Sequence, residues 1–136
     1  MAAITPTAAS VFKSAAGMTE NGILGASLTA GTFVYRDSGA ANVYKAADNT
    51  SAAKATVAGV LLNGGGTGQP ATIATSDAGL VFDAVLVAGK VYLISATAGK
   101  VIEDSELATG QVTVCGTAAS TTVLMFNPVV TGVVRV

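Results

Sequence analysis

Histidine and tryptophan are absent from this 136-residue chain, and cysteine occurs once, at position 115. Without histidine there is no Ser-His or Cys-His nucleophile, and the commonest general base and metal ligand are missing. A lone cysteine excludes an intrachain disulfide and a cysteine-rich metal site, and it fits synthesis in a reducing compartment. Charge is also scarce. Charged residues make up 11%, against about a quarter in ordinary soluble domains, and the basic ones are scattered. No clustered Lys/Arg footprint for nucleic acid and no basic amphipathic helix for a membrane surface results. Long apolar runs are missing as well. The longest uncharged stretch, residues 107–134, is interrupted by Gly110, Gly116, Pro128 and Gly132, whereas a spanning helix needs about 20 predominantly apolar residues in a row. The N-terminus has no basic segment ahead of an apolar block, so no secretory signal is expected.

What is present is small and apolar. Hydrophobic residues reach 51%, but much of this is alanine, and aromatics are only 5%. One domain, or two very small ones, fits the length. A protomer of this composition is expected to bury a thin core of Val, Leu, Ile and a few Phe and Tyr. A thin core with little surface charge points to burial against other subunits; the competing reading is a small, weakly charged monomer.

Residues 1–24 lack a sustained period and read as an extended N-terminal arm or loose strand, the alternative being a disordered terminus. Ile4, Val11 and Phe12 in this segment have no obvious local core and are expected to pack on a neighbouring subunit. Residues 25–136 read as a β domain. Short β-branched and aromatic runs fall at 32–36, 42–45, 56–62, 71–74, 79–82, 90–94, 100–103, 111–115, 122–127 and 132–136, separated by turn clusters such as DSGAA, NGGGTGQP and SATAG. The pattern predicts an all-β fold, a small Gly-rich β-barrel or sandwich. Residues 48–54 are expected to form at most one helical turn.

The β domain repeats itself. LTAGTFVY at 28–35 is answered by LVAGKVYL at 86–93, which sets Gly31 and Gly89 58 positions apart. ATVAG at 55–59 is answered by VTVCG at 112–116, an offset of 57, and AGLV at 78–81 by TGVV at 131–134, an offset of 53. The sequence thus predicts an internally duplicated β-unit, about 28–82 and 86–134. Such a unit closes its edges only by pairing with its sister or with another chain.

Residues that could carry chemistry have blander uses. Glu103, Asp104 and Glu106 cluster in EDSE, but the loop lacks the spacing of a Ca²⁺ site and reads as a solvated turn rather than an acid/base pair. Asp37 and Asp48 sit in turn contexts. NGGGTGQP has Gln69 where a phosphate-binding loop needs lysine, so it reads as a mobile hairpin loop. Gly39, Gly79, Gly99 and Gly132 are expected to supply positive φ. Cys115 has no cationic partner nearby and reads as a buried, inert residue. Tyr35, Tyr44 and Tyr92 could form a sugar platform, with core duty the competing use. No catalytic residue, metal site or cofactor is expected.

LTAGTFVYRDSGAANVYKAAD followed by SAAKATVAGVLLNGGGTGQPATIATSDAGLV, and then AGKVYLISATAGKV and LATGQVTVCGTAASTTVLMFN, resembles in order the strand-and-turn pattern of small bacteriophage capsid decoration (cement) proteins, over roughly residues 28–134. The resemblance implies a structural virion protein, made in the bacterial cytoplasm and bound to the outer surface of an icosahedral head. There it would brace capsomer junctions, usually as a homotrimer, with a dimer the other option, and its partner would be the major capsid protein. The contact residues expected for coat protein or subunit are Ile4, Val11 and Phe12 in the arm and Val57, Val60, Leu62, Val123, Leu124 and Phe126 on strand faces. No nucleic acid or membrane is expected as a partner. The rival readings are a receptor- or glycan-binding fibre or spike module and, further off, a small hydrolase.

Overall fold

The computed structural model describes residues 3–37 and 42–136. Among them the chain is all-β: β1 (Met18–Leu24), β2 (Phe33–Arg36), β3 (Val43–Ala46), β4 (Gly59–Leu61), β5 (Pro70–Val81), β6 (Val91–Ile94), β7 (Val101–Glu103), β8 (Gly110–Ala118) and β9 (Val123–Arg135), with single 3-10 turns at Ala8–Ser10 and Asp104–Glu106. Their order in one sheet is β1-β3-β2-β4-β5-β9-β8-β6-β7, and β1 pairs again with β5. β1 is parallel to β3 and antiparallel to the first half of β5, so β1, β3, β2, β4 and β5 close a five-stranded ring. The second half of β5 leaves the ring and pairs with β9 at Asp77–Phe126, Leu80–Leu124 and Val81–Val123; β8, β6 and β7 follow. β5 and β9 are each one long strand where the sequence predicts two short ones. In both, the polar or glycine interruption is taken up by a register shift instead of a turn. Residues 51–55 form the expected single turn, closed by the Ala55 N–H on the Ser51 carbonyl at 3.0 Å.

The two units share a topology, β3-β2-β4-β5 and β7-β6-β8-β9. Phe33 and Val34 face Val60 and Gly59, while Val91 and Tyr92 face Thr117 and Gly116, at offsets of 58 and 57. The Gly31 amide donates to Leu61 O at 2.8 Å and the Gly89 amide to Ala118 O at 2.8 Å. Both glycines have positive φ, +89° and +82°, which a tight turn here requires. The third correspondence shifts. Ala74 lies opposite Val60 and Met125 opposite Thr117 in β9's pairing with β8, an offset of 51, so AGLV and TGVV are not equivalent.

The interior is fuller than the composition predicts. Leu24, Val34, Tyr44, Leu61, Ala71 and Ile73, one or two from each ring strand, form one cluster. A larger cluster joins the ring's outer wall (Phe33, Val60, Ala74) to the second unit (Phe82, Tyr92, Ile94, Cys115, Leu124, Phe126). Phe33 sits at its centre, 5.4 Å from Phe82 and 5.7 Å from Phe126 between ring centroids. Buried alanines such as Ala47, Ala74 and Ala118 let these sheets approach closely. One protomer therefore has a buried interior of its own, made of separate clusters inside the ring and between the units.

The N-terminal segment is part of that body. Its last residues form β1, which the polar sequence MTENGIL does not announce. Residues 3–17 lie against both units: Ile4 bridges to Val101 of β7, Phe12 to Val81 of β5, and Val11 is buried in the larger cluster. The segment thus runs between β7 and the second half of β5, the two ends of the strand order β5-β9-β8-β6-β7. Two carboxylates fasten it. Asp83 accepts the Thr7 N–H at 2.7 Å. Asp77, almost fully buried, accepts the Ser14 N–H at 2.6 Å, the Ser14 hydroxyl and the Gly79 N–H at 2.9 Å. Burial pushes the Asp77 carboxyl up, but these bonds and the charge of Lys13 outweigh it and hold it below the ordinary value. The Thr7 and Ala84 amides lower Asp83 likewise. A depressed folded-state pKa means the fastening is complete above the ordinary carboxylate range and is lost as pH falls through the folded values. Amide NMR shifts of Thr7 and Ser14 should therefore titrate with midpoints below about pH 4; midpoints above it would contradict the fastening.

Candidate functional site

The acidic residues do not converge on a reaction centre. Asp104 pairs with Arg135 at 2.5 Å, and the same guanidinium donates to the Asp104 and Leu107 carbonyls at 2.9 and 2.8 Å. EDSE thus fastens the end of β9. Asp37 pairs with Lys45 at 3.1 Å, and Asp48 caps its turn through Thr50 N–H at 2.9 Å. Glu20 is held by Arg36 and by the Tyr44 hydroxyl at 2.6 Å; the Arg36 bond foremost, then Tyr44, draws its pKa down. Among the described residues no group of three or more His, Cys, Asp or Glu side chains could hold a metal ion, and no helix is long and apolar enough to cross a membrane.

Cys115 is fully buried and burial pushes its thiol up, which keeps it protonated. Tyr44 and Tyr92 are buried and Tyr35 packs on the core, so the three do not form an exposed platform. The NGGGTGQP loop joins β4 to β5 as a hairpin and is tied rather than loose. Asn63 bonds Pro70 O and Thr72 N–H, Gln69 accepts the Gly66 N–H, and the Gly68 N–H reaches Leu24 O. Gly99 and Gly132 have positive φ as expected; Gly79 does not, and lies within β5 against Ser14. Gly39 lies outside the described residues.

The residues expected to dock on other subunits are mostly interior. Val11, Val57, Val60, Leu124 and Phe126 are buried in the protomer's own core, and Ile4 and Leu62 pack against it. Val123 is half-buried on β9 opposite Val81. Only Phe12 is well exposed, at 56%. Strand alternation could not separate these cases, because the ring's outer wall is covered by the second unit of the same chain.

Half of the exposed large apolar side chains among the described residues lie elsewhere, at the C-terminal half of β9 and the residue after it. Beyond Asn127 this strand pairs with β8 alone, Val129 opposite Val114, Val130 opposite Thr113, and Val134 opposite Gln111. Its other edge carries no strand among the described residues. Val129, Val130, Val133 and Val134 are 49–55% exposed and Val136 fully so. Neighbouring positions point to opposite faces, so both faces of this ribbon are apolar. Next to it a shallow groove of about 360 Å³ is lined by Met18, Ser76, Asp77, Ala78, Met125 and Asn127, with Met18 and Met125 both exposed. The signal was present in the sequence as PVVTGVV, a strand run without a charge. No family model, curated protein or solved structure matches the chain.

Proposed function

We propose that this chain is a structural virion protein that binds the outer surface of an icosahedral phage head and stabilises capsomer junctions, without catalysis. The observation that carries the reading is a self-contained β body that leaves one contiguous apolar, uncharged strip exposed at β9. Patches of that kind on small proteins mark contact surfaces. The ordered resemblance of its turns and strands to capsid decoration proteins supports the same reading and supplies the partner class, the major capsid protein. Many copies on a repeating shell gain occupancy through avidity, so each contact can be weak. The glycan-binding alternative lacks support now that the tyrosines serve the core.

The test is co-sedimentation of the purified protein with undecorated, expanded heads of the phage that encodes it, followed by heating. Saturable binding at a fixed ratio to coat protein and a raised disruption temperature are expected. Absence of binding at micromolar concentration would overturn the proposal. Deleting residues 1–20 is not a clean variant, because Met18, Thr19 and Glu20 pair with β5 and Val11 belongs to the core. Phe12→Ser, at an exposed position, is the variant that tests the segment's outer surface.

A further inference from the structure

Residues 3–17 are thinly held. Of their side chains only Val11 is buried, and they meet the sheet at two isolated bridges, Ile4 with Val101 and Phe12 with Val81. The chain that follows is held differently. β1 is paired with β5 from Met18 to Ile23 and with β3 at Ile23 and Leu24. Between the two lies a turn, closed by the Gly17 N–H on the Ser14 carbonyl at 3.1 Å, with Ala15 and Ala16 exposed. Segments with few buried apolar contacts open at a lower free energy than the strands they lie on, and here the division falls at this turn.

Carboxylates do what apolar burial does not. Asp77 of β5 accepts the Ser14 N–H at 2.6 Å and the Ser14 hydroxyl, so one side chain grips the segment at the turn. Lys13 sets an opposite charge near it, and hydrogen bonds to a charged acceptor are stronger than neutral ones. Gly17 leaves room for the grip, since a Cβ there would lie 2.7 Å from the Asp77 carboxylate. The second grip is Asp83 on the Thr7 N–H at 2.7 Å. Asp83 has φ +86°, a left-handed conformation that is strained for a non-glycine residue. The Thr7 bond is one of the restraints on that conformation, so departure of the segment lets the strain relax.

We propose that residues 3–17 form a strap that opens as a unit about the turn at 14–17 while β1–β9 stay paired, with the Asp77–Ser14 contact as its latch. Closed, the strap occupies the backbone of Val101 and Val81 and seats Val11 in the larger cluster. Open, it leaves β7 and the second half of β5 as unpaired edges, the feature through which sheets recruit further strands. The strap is thus a guard over the two ends of the order β5-β9-β8-β6-β7. This device belongs to the protomer alone and does not depend on capsid binding.

Native-state hydrogen exchange on the full chain, followed by NMR at neutral pH, tests it. The Thr7, Phe12 and Ser14 amides carry the strap's bonds. They should share one level of protection, at least about tenfold below that of β8, which is paired on both sides. The Val81 amide should join them, because it donates to Phe12 O at 2.9 Å although it belongs to β5. Asp77→Asn should lower strap protection a further 10- to 100-fold or so, the equivalent of one charge-assisted hydrogen bond, and leave β8 within about twofold. Ser14→Ala removes the hydroxyl from the strap side and cannot disturb β5; it should lower the same amides by a smaller factor. Phe12→Cys with Val81→Cys, an opposed hydrogen-bonded pair about 5.5 Å apart, should form a disulfide on oxidation. In the Asp77→Asn background that lock should restore protection at Ser14, and reduction should remove it again. Strap amides as protected as β8 in the wild type, loss of protection that spreads to β8 in both latch variants, strap protection unchanged by both, or a lock without effect would each overturn the proposal.

Discussion

Phe33→Ala is expected to lower the free energy of unfolding by about 3–5 kcal/mol, the range for removing a buried phenylalanine. Phe33 is fully buried and lies between Phe82 and Phe126. It is the only one of the three contributed by the five-stranded ring, so its loss opens a cavity at the junction of the two units. Relaxation there is limited, because the backbone on both sides is fixed by strand pairing. Single domains are typically stable by about 5–15 kcal/mol, so the variant would lose a large share of the total. Guanidinium denaturation reads the effect as a lower midpoint. Phe12→Ala, at the exposed phenylalanine, should stay within about 0.5 kcal/mol of the parent. A Phe33→Ala shift as small as that of Phe12→Ala would mean that the two units do not depend on a common core.

That shared core explains which features could be read from the sequence. The β2 and β6 turns were legible because Gly31 and Gly89 supply positive φ at matched positions, and glycine is the residue that marks such a site. The strands flanking them, β2, β3, β6 and β7, fell where the short β-branched runs placed them. β1 was hidden because its more buried positions are Glu20, Gly22 and Leu24 while Thr19, Asn21 and Ile23 are exposed, so burial alternates along the strand but apolar residue type does not. The role of Val11 was half visible. Its lack of a local core was apparent, but it is buried in a cluster drawn from residues as distant as Phe33 and Phe126, a relation that periodicity does not carry. The same blindness assigned Val57, Val60 and Phe126 to an outer surface. They do face outward from their own unit, yet the other unit covers them. The apolar strip on β9 is the counterpart: Met125 occupies in β9 the place that Ala74 takes in β5, but stays 43% exposed where Ala74 is fully buried.

Gly116→Ala and Gly59→Ala should each destabilise the fold by about 2–3 kcal/mol, the range for forced overpacking, and for the same atomic reason. A Cβ at Gly116 would overlap the Met125 carbonyl oxygen, and a Cβ at Gly59 the Ala74 carbonyl oxygen. In both cases the obstacle is backbone of the adjacent strand, which cannot swing aside as a side chain can. The two glycines are 57 positions apart, in the paired segments VTVCG and ATVAG, and the carbonyls they meet are the equivalent ones of β9 and β5. Neither glycine has a positive φ, so the conformation itself is open to alanine and the effect isolates the close approach of strands. Gly66→Ala, where a Cβ would have no neighbour nearer than 3.8 Å, provides the comparison and should change stability by no more than about 0.5 kcal/mol. Matched losses in midpoint for the two buried glycines, with Gly66→Ala near the parent, are the expected result. If Gly59→Ala and Gly116→Ala were both tolerated like Gly66→Ala, the tight pairing of β4 with β5 and of β8 with β9 would be wrong, and with it the equivalence of the two units at their closest point.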